Sequence, residues 1–173
     1  MSSPSKTASS LDPRKASIRA LCDAFGCFPT GVTVVSFIDQ AGSPTGVTIS
    51  SFSSLSLEPA LCMFGIGKNL PSCERLLGRV DFSINILAAE QEIIARQFAA
   101  PIEDKFANID WHPSPTGLPL IDGAVACFSC CHWAHYDGGD HYIIVGEIMG
   151  YQSRQAQSLN YYRGHFNTLR QAG

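Results

Sequence analysis

A four-residue turn, Asp137-Gly138-Gly139-Asp140, strongly constrains the fold of this chain. Residues 124–136 before it and residues 141–151 after it are rich in apolar, aromatic and β-branched side chains, as strands are. A Gly-Gly pair flanked by aspartates between two such runs is typical of a tight β-hairpin. The sequence therefore predicts two long antiparallel strands that meet at this turn.

A second predicted hairpin leads into a serine-rich stretch. Residues 32–38 and 45–50 have strand character, and turn-forming residues separate them. Serines then occupy positions 50, 51, 53, 54 and 56, around Phe52 and Leu55. Hydroxyl and backbone N–H groups at the end of a rigid hairpin suit a polar, planar or phosphorylated ligand. A serine-rich surface loop is the other interpretation.

The remaining pattern predicts a mainly β fold with a few helices (α+β). Apolar residues recur at helical spacing over residues 18–25, and Gly26 follows them. Two further helices are predicted at 71–77 and 90–98, strands at 60–66 and 81–87, and a long loop at 101–123. Several short strands with two or three helices favour an antiparallel sheet curled into a barrel.

Composition narrows the class of protein. The 173 residues fit one domain at 19–173, and a flexible tail is expected at 1–18. Hydrophobic residues make up 45% and charged residues 16%, so we expect another subunit to cover apolar surface. A net charge of −3 argues against nucleic-acid binding, and no apolar run is long enough for a membrane helix. Seven cysteines without a disulfide pattern or a secretory signal predict a cytoplasmic protein.

A cysteine- and histidine-rich segment within 124–136 resembles a metal cluster. Alternation along a strand would place Cys127, Cys131 and His135 on one face and Cys130 and His132 on the other. A tetrahedral zinc site needs convergent ligands, so we expect buried cysteines that act as small hydrophobes and no metal.

Two further sequence features concern nucleotide binding. Gly65-Ile66-Gly67 lacks the third glycine of a dinucleotide fingerprint. His141 follows the Gly-Gly turn, where its side chain can reach a ligand at the mouth of the hairpin; a structural or merely exposed histidine is the alternative.

In their order along residues 19–170, these segments resemble the flavin reductase family, which has the FMN-binding split β-barrel fold. The matching segments are Phe28-Pro29-Thr30-Gly31-Val32, the stretch 46–56, Glu58-Pro59, 82–87 with Gln91, Phe98-Ala99, Asp104-Lys105-Phe106, Gly139-Asp140-His141, Gly146 and Tyr161-Tyr162-Arg163-Gly164. Members are NAD(P)H-dependent reductase components that supply reduced flavin to two-component monooxygenases. His165 stands where a tyrosine is more usual, and Asn69-Leu70-Pro71 is an unusual version of the segment after Lys68.

The resemblance implies a set of site residues and a mode of assembly. The residues implied to contact FMN or FAD are Thr30, Gly31, Val32, Val47, Thr48, Ile49, Ser50, Ser51, Phe52, Ser53, Ser54, Lys68, Ser72, Asn85 and Gln91. Those implied to hold NADH or NADPH are His141, Gly139 and Asp140, with Tyr162 closing over the same pocket. Family members are homodimers with the flavin near the subunit interface.

The mechanism implied is a direct hydride transfer that depends on positioning, in which His141 orients the dinucleotide and no side chain acts as an obligatory acid, base or nucleophile. Two alternatives remain at this point. One is a flavin-binding sensor or carrier without reductase activity, and the other is an enzyme of the pyridoxamine-phosphate oxidase type. The sequence leaves open the choice of flavin, the choice of dinucleotide and the identity of the partner oxygenase.

Overall fold

The fold was analysed in a computed structural model that describes residue 12, residues 17–78 and residues 80–168. Most of the expected flexible tail at 1–18 therefore lies outside the described residues. The helices of the described part are α1 (Ile18–Phe25), α2 (Pro71–Leu77) and α3 (Glu92–Ala99). The prediction for residues 18–25 is confirmed at both ends. Ser17 caps α1 by accepting a hydrogen bond from the Ala20 N–H at 3.2 Å, and Gly26 ends the helix.

A seven-stranded antiparallel sheet forms the body of the protein. Its strands, in chain order, are β2 (Thr33–Ile38), β3 (Pro44–Ile49), β4 (Ser53–Leu57), β5 (Ala60–Gly67), β6 (Phe82–Ile86), β9 (Ala126–Gly138) and β10 (His141–Ser153). They lie side by side in the order β3-β2-β6-β9-β10-β5-β4. The prediction of a mainly β chain with a few helices is thus confirmed.

Two smaller sheets complete the described fold. A three-stranded sheet has the order β1 (Thr30–Gly31), β11 (Leu159–Tyr162) and β12 (His165–Thr168). A two-stranded sheet consists of β7 (Trp111–Pro113) and β8 (Pro119–Ile121). The expectation of an irregular loop over 101–123 was therefore wrong for these two short strands. The sequence pattern did not indicate these strands because the segment contains four prolines. Each proline removes a backbone donor and weakens the strand pattern.

The long hairpin of β9 and β10 was predicted correctly, with Gly138 paired to His141 across the turn. It contains two bulges that the pattern did not show. Trp133 is an extra residue in β9 and Met149 is an extra residue in β10, as the shifts in pairing register show. Each bulge reverses which face of the sheet the following side chains occupy.

Two hydrophobic clusters hold the sheet and helices together. In the first, Phe64 of β5 meets Phe82 of β6 edge to face, with ring centroids 5.4 Å apart. In the second, Phe98 of α3 packs with Phe106 at 4.9 Å. Gly46 of β3 lets α3 approach, because a Cβ there would lie 3.1 Å from the Phe98 ring. The sheet and α3 are therefore fixed relative to one another.

Apolar surface remains exposed on α1 and on the edge strand β4. No residue of α1 is buried; Ile18 is 85% exposed and Phe25 71%. Leu57 of β4 is 93% exposed. Exposed apolar residues on one helix and a sheet edge are typical of a surface covered by another chain. Among the described residues, no helix has the length and apolar character needed to span a membrane.

Candidate functional site

The serine-rich loop between β3 and β4 is anchored directly on strand β5. The Ser51 hydroxyl accepts a hydrogen bond from the Gly65 N–H at 2.9 Å and donates one to the Gly65 carbonyl at 3.1 Å. One hydroxyl thus satisfies both backbone groups of Gly65. This double contact fixes the loop against the C-terminal part of β5.

Two glycines on β5 form a strip of backbone without side chains, which we call the glycine floor: Gly65 and Gly67. A Cβ at Gly65 would lie 3.6 Å from the Ser51 Oγ and 3.9 Å from the His141 Cδ2. A Cβ at Gly67 would lie 2.9 Å from the Asn69 Oδ1 and 3.7 Å from the His141 Nε2. Ser51 and His141 therefore flank the floor, although they are far apart in sequence. Sequence reasoning missed these glycines; Gly-x-Gly inside a buried strand is the signal for a close approach by a ligand or another backbone.

The turn between β9 and β10 places the His141 ring. Gly139 has a φ of +86°, which favours glycine, and its N–H donates to the Asp137 Oδ1 at 3.1 Å. The His141 Nδ1 lies 2.7 Å from the Asp140 Oδ1. This hydrogen bond from His141 lowers the pKa of Asp140. Because the carboxylate accepts a hydrogen bond from the Nδ1–H, the Nε2 of a neutral His141 is left as an acceptor.

Lys68 follows β5 and pairs with the same turn. Its Nζ lies 2.5 Å from the Asp137 Oδ2 and 4.6 Å from the centroid of the Tyr142 ring. The hydrogen bond between them raises the pKa of Lys68 and lowers that of Asp137. Ser72 lies elsewhere, in a cleft of about 510 Å³ that Val47 also lines. The Lys68 ammonium is thus engaged by the turn between β9 and β10, whereas Ser72 lines a separate cleft.

A larger cleft joins the two segments expected to bind the flavin. Its volume is about 830 Å³, within the range of small-molecule sites, and it is also lined by residues of α1 and by Tyr161. The predicted residues that line it are Thr30, Gly31, Ser50, Ser51, Phe52 and Ser53. Tyr161, which pairs with Thr30, lines this cleft, whereas Tyr162, which the resemblance places over the dinucleotide pocket, is not among its lining residues. Tyr162 instead packs under the Arg163 guanidinium, 5.3 Å from its ring.

Several other predicted cofactor contacts lie outside this cleft. Val32, Val47 and Ile49 are buried in the hydrophobic clusters, and Ser54 is exposed on β4. The Thr48 hydroxyl donates to the Ala95 carbonyl of α3 at 2.7 Å. The three buried side chains contribute packing, Thr48 contributes a helix contact, and Ser54 is exposed to solvent outside the cleft.

The side-chain amides of Asn85 and Gln91 both form hydrogen bonds with buried backbone groups. The Asn85 side chain donates to the Val34 carbonyl at 3.2 Å and accepts from the Ile121 N–H at 2.9 Å. The Gln91 side chain accepts from the Ala88 N–H at 2.9 Å and donates to the Asp122 carbonyl at 2.7 Å. Both amides thus hold β6 and the chain after it to neighbouring segments.

The prediction that two histidines of β9 lie on opposite faces of the sheet was wrong. Simple alternation placed His132 and His135 on opposite faces, but their ring nitrogens lie 3.1 Å apart. The bulge at Trp133 lies between them and returns His135 to the face of His132. Burial raises the pKa of the Cys127 thiol, as expected for a buried cysteine. Within residues 17–78 and 80–168, no three His, Cys, Asp or Glu side chains converge as a metal site would require.

Comparison with known proteins identifies one family. The family model described as "Flavin reductase like domain" matches residues 25–170. The reductase component of the flavin-dependent trigonelline monooxygenase of Acinetobacter baylyi is 43% identical over 151 residues, which are 87% of this chain and 49% of that protein. An NADH-dependent FAD reductase of Streptomyces globisporus is 41% identical over 130 residues, which are 72% of this chain and 70% of that protein.

A solved structure extends the comparison to the fold. The NADH:FAD oxidoreductase of Streptomyces globisporus C-1027, in complex with NAD and FAD fragments, superimposes with a TM-score of 0.87 at 36% identity, covering 95% of this chain and 98% of that one. The prediction of the split-barrel fold is confirmed by this likeness and by the open sheet order. This chain spans about half the length of two of the curated relatives that it matches.

Proposed function

Because this chain belongs to the flavin reductase-like domain family, we propose that it transfers a hydride from a nicotinamide dinucleotide to FMN or FAD. The observation that carries the proposal is the glycine floor, which Ser51 and His141 flank from two sides. The floor unites the segment implied to bind flavin and the turn implied to bind the dinucleotide. A flavin-binding module would need only the first of these.

The residues present fit a planar cofactor. A Cβ at Gly65 would occupy the space between Ser51 and His141, so glycine keeps that space free for a ring. Thr30 and the loop serines at 50, 51 and 53 supply hydroxyl and backbone groups along the adjoining cleft. A bound flavin would accept the hydride and a bound dinucleotide would supply it, so the redox chemistry belongs to the cofactors.

The contribution of the chain is binding and orientation. Transfer requires the reacting atoms to be held about 3–3.5 Å apart, which rigid elements achieve better than mobile loops. Ser51 is fixed by two hydrogen bonds to β5, and His141 is fixed by Asp140 at 2.7 Å. His141 orients the dinucleotide and transfers no proton. Of the two dinucleotides, we propose NADH, because relatives are named as NADH-dependent FAD reductase and FMN reductase (NADH).

The proposed assembly is a homodimer that supplies reduced flavin to a partner monooxygenase. The exposed apolar residues of α1 support the dimer, since Cys22 and Phe25 of α1 also line the 830 Å³ cleft. A second chain over α1 would close that cleft from outside. Relatives named as reductase components or subunits of flavin-dependent monooxygenases support the partner. The cytoplasm remains the proposed location, and the seven cysteines are free thiols in the structure.

Anaerobic reduction tests the proposed activity. The protein is mixed with FMN or FAD, NADH or NADPH is added, and the visible absorbance of the flavin is followed in all four combinations. We expect protein-dependent loss of this absorbance, fastest with NADH. Flavin that binds but stays oxidised with both dinucleotides would refute the reductase and favour the sensor or carrier.

A further inference from the structure

We infer that Lys68 is a positioning residue for the dinucleotide side of the site, acting through Asp137, and not a ligand of the flavin phosphate. This inference rests on the proposed function, because it assigns a role within the same site. Three contacts of Lys68, all with the β9–β10 hairpin, carry it. Together they connect the end of β5 to the turn that presents His141.

The first step is how Lys68 itself is held. Its ammonium lies 2.5 Å from the Asp137 Oδ2 and 4.6 Å from the centroid of the Tyr142 ring. Its backbone N–H donates to the Asp140 carbonyl at 3.0 Å. A cation between a carboxylate and an aromatic face has two of its preferred partners. Lys68 is therefore engaged with the hairpin by both main chain and side chain.

The second step leads from Asp137 to His141. The other carboxylate oxygen of Asp137, Oδ1, accepts from the Gly139 N–H at 3.1 Å. The Asp140 carboxylate then holds the His141 Nδ1 at 2.7 Å. Lys68 fixes the carboxylate that shapes the turn, and the turn fixes the ring. Their hydrogen bond raises the pKa of Lys68 and lowers the pKa of Asp137, which is the pattern of a charged pair in contact.

The third step is the side of the sheet on which the ammonium lies. His141 pairs with Gly67, on the face where Ser51 flanks the glycine floor. Tyr142 pairs with Ile66 and packs against the buried hydrophobic cluster that contains it, on the opposite face. The ammonium lies over the Tyr142 ring, so it supports the turn from behind the floor.

Substitutions at both partners test the inference. Asp137→Asn keeps an oxygen for the Gly139 N–H and loses the ion pair, whereas Lys68→Met loses it from the other side. For each we expect the KM for NADH to rise about threefold to fivefold, as for loss of an exposed ion pair, with kcat and the flavin Kd unchanged. The double variant should be no worse than either single variant, and Lys68→Arg should restore the KM.

The matched control is Arg96 on α3, which, like Lys68, pairs with a carboxylate and lies over an aromatic ring. It lies 2.7 Å from Glu92 and 4.9 Å from the Phe166 ring centroid. Arg96→Met should leave the KM for NADH unchanged. A weaker flavin Kd in Lys68→Met, without one in Asp137→Asn, would overturn the inference and make Lys68 a flavin-phosphate ligand. An unchanged KM in both variants would also overturn it.

A measurement without cofactors separates this inference from the proposed function. Amide hydrogen exchange at residues 138–141 should be faster in Lys68→Met and Asp137→Asn than in the unsubstituted protein and Arg96→Met. Unchanged exchange would refute the positioning role even if the protein is an active reductase. Faster exchange in a protein that reduces no flavin would refute the proposed function and retain the support of the turn by Lys68.

Discussion

Gly65→Ala is the substitution that tests the glycine floor most directly. The added methyl group would lie 3.6 Å from the Ser51 Oγ and 3.9 Å from the His141 Cδ2. Both distances are ordinary van der Waals contacts, so the fold accommodates the methyl without a shift. Gly65 has no positive φ that alanine would strain. Replacing glycine in a strand interior should even stabilise the folded protein by about 0.5–1 kcal/mol.

The expected cost falls on catalysis. The methyl group would fill the gap between Ser51 and His141, where a planar ring is proposed to lie against bare backbone. A displacement of about 1 Å from the reactive geometry can cost about 100-fold in rate. We therefore expect kcat/KM for NADH with either flavin to fall about 10-fold to 100-fold. The folded protein should keep or slightly raise its melting temperature.

Steady-state kinetics and thermal unfolding measure the two effects separately. Gly150→Ala is the matched control, since Gly150 also lies in a long strand and a Cβ there would meet nothing within 4 Å. It should leave kcat/KM unchanged. If Gly65→Ala and Gly150→Ala have equal activity, no ring lies on the floor and the assignment of the site is wrong. If Gly65→Ala loses stability, the argument that the methyl fits is wrong.

Three further predictions concern packing, hydrogen bonding and assembly. Gly146→Ala should lower the free energy of unfolding by about 1–3 kcal/mol in urea denaturation, because its Cβ would lie 2.5 Å from the Phe82 ring; unchanged stability would contradict this. Asn85→Ala should cost about 1–3 kcal/mol for each buried backbone group left unpaired, and flavin binding lost without any loss of stability would instead indicate a cofactor contact. Leu57→Glu should shift the proposed dimer toward monomer in sedimentation velocity, and a monomeric unsubstituted protein would rule the dimer out.

Local turn and cap chemistry was the part of this fold that the sequence predicted well. Gly26 ends α1, and the turn at 137–140 joins β9 to β10, as the residue types indicated. The helix end depends on hydrogen bonds within a few residues, and the hairpin turn also depends on the positive φ of Gly139, so the local sequence determines both features. The family resemblance named Thr30, Ser50, Ser51 and Ser53 as cofactor contacts, and these four residues line one cleft, but their contact with a cofactor stays a prediction.

Features set by pairing between distant strands could not be predicted in this way. The bulge at Trp133 exists only relative to β10, yet it decides that His132 and His135 meet. The role of Asn85 depends on the hydrogen bond that it accepts from the Ile121 N–H, 36 residues later in the chain. No local sequence pattern predicts this contact. A polar residue on a strand can face a ligand or satisfy a buried backbone group, and only the packing of the neighbouring strands distinguishes the two.

Gly65 is best explained by a ligand, because packing gives no reason for glycine at this position, whereas a Cβ at Gly67 would lie 2.9 Å from the Asn69 Oδ1. A Cβ at Gly46 would lie 2.5 Å from the Val35 carbonyl oxygen, and a Cβ at Gly146 would lie 2.5 Å from the Phe82 ring. The fold itself therefore requires glycine at these two positions. At Gly65 a Cβ would meet only ordinary contacts, and glycine there costs about 0.5–1 kcal/mol relative to alanine. A position that lowers stability without relieving a clash, between Ser51 and His141, is what a binding surface for a flat ring requires.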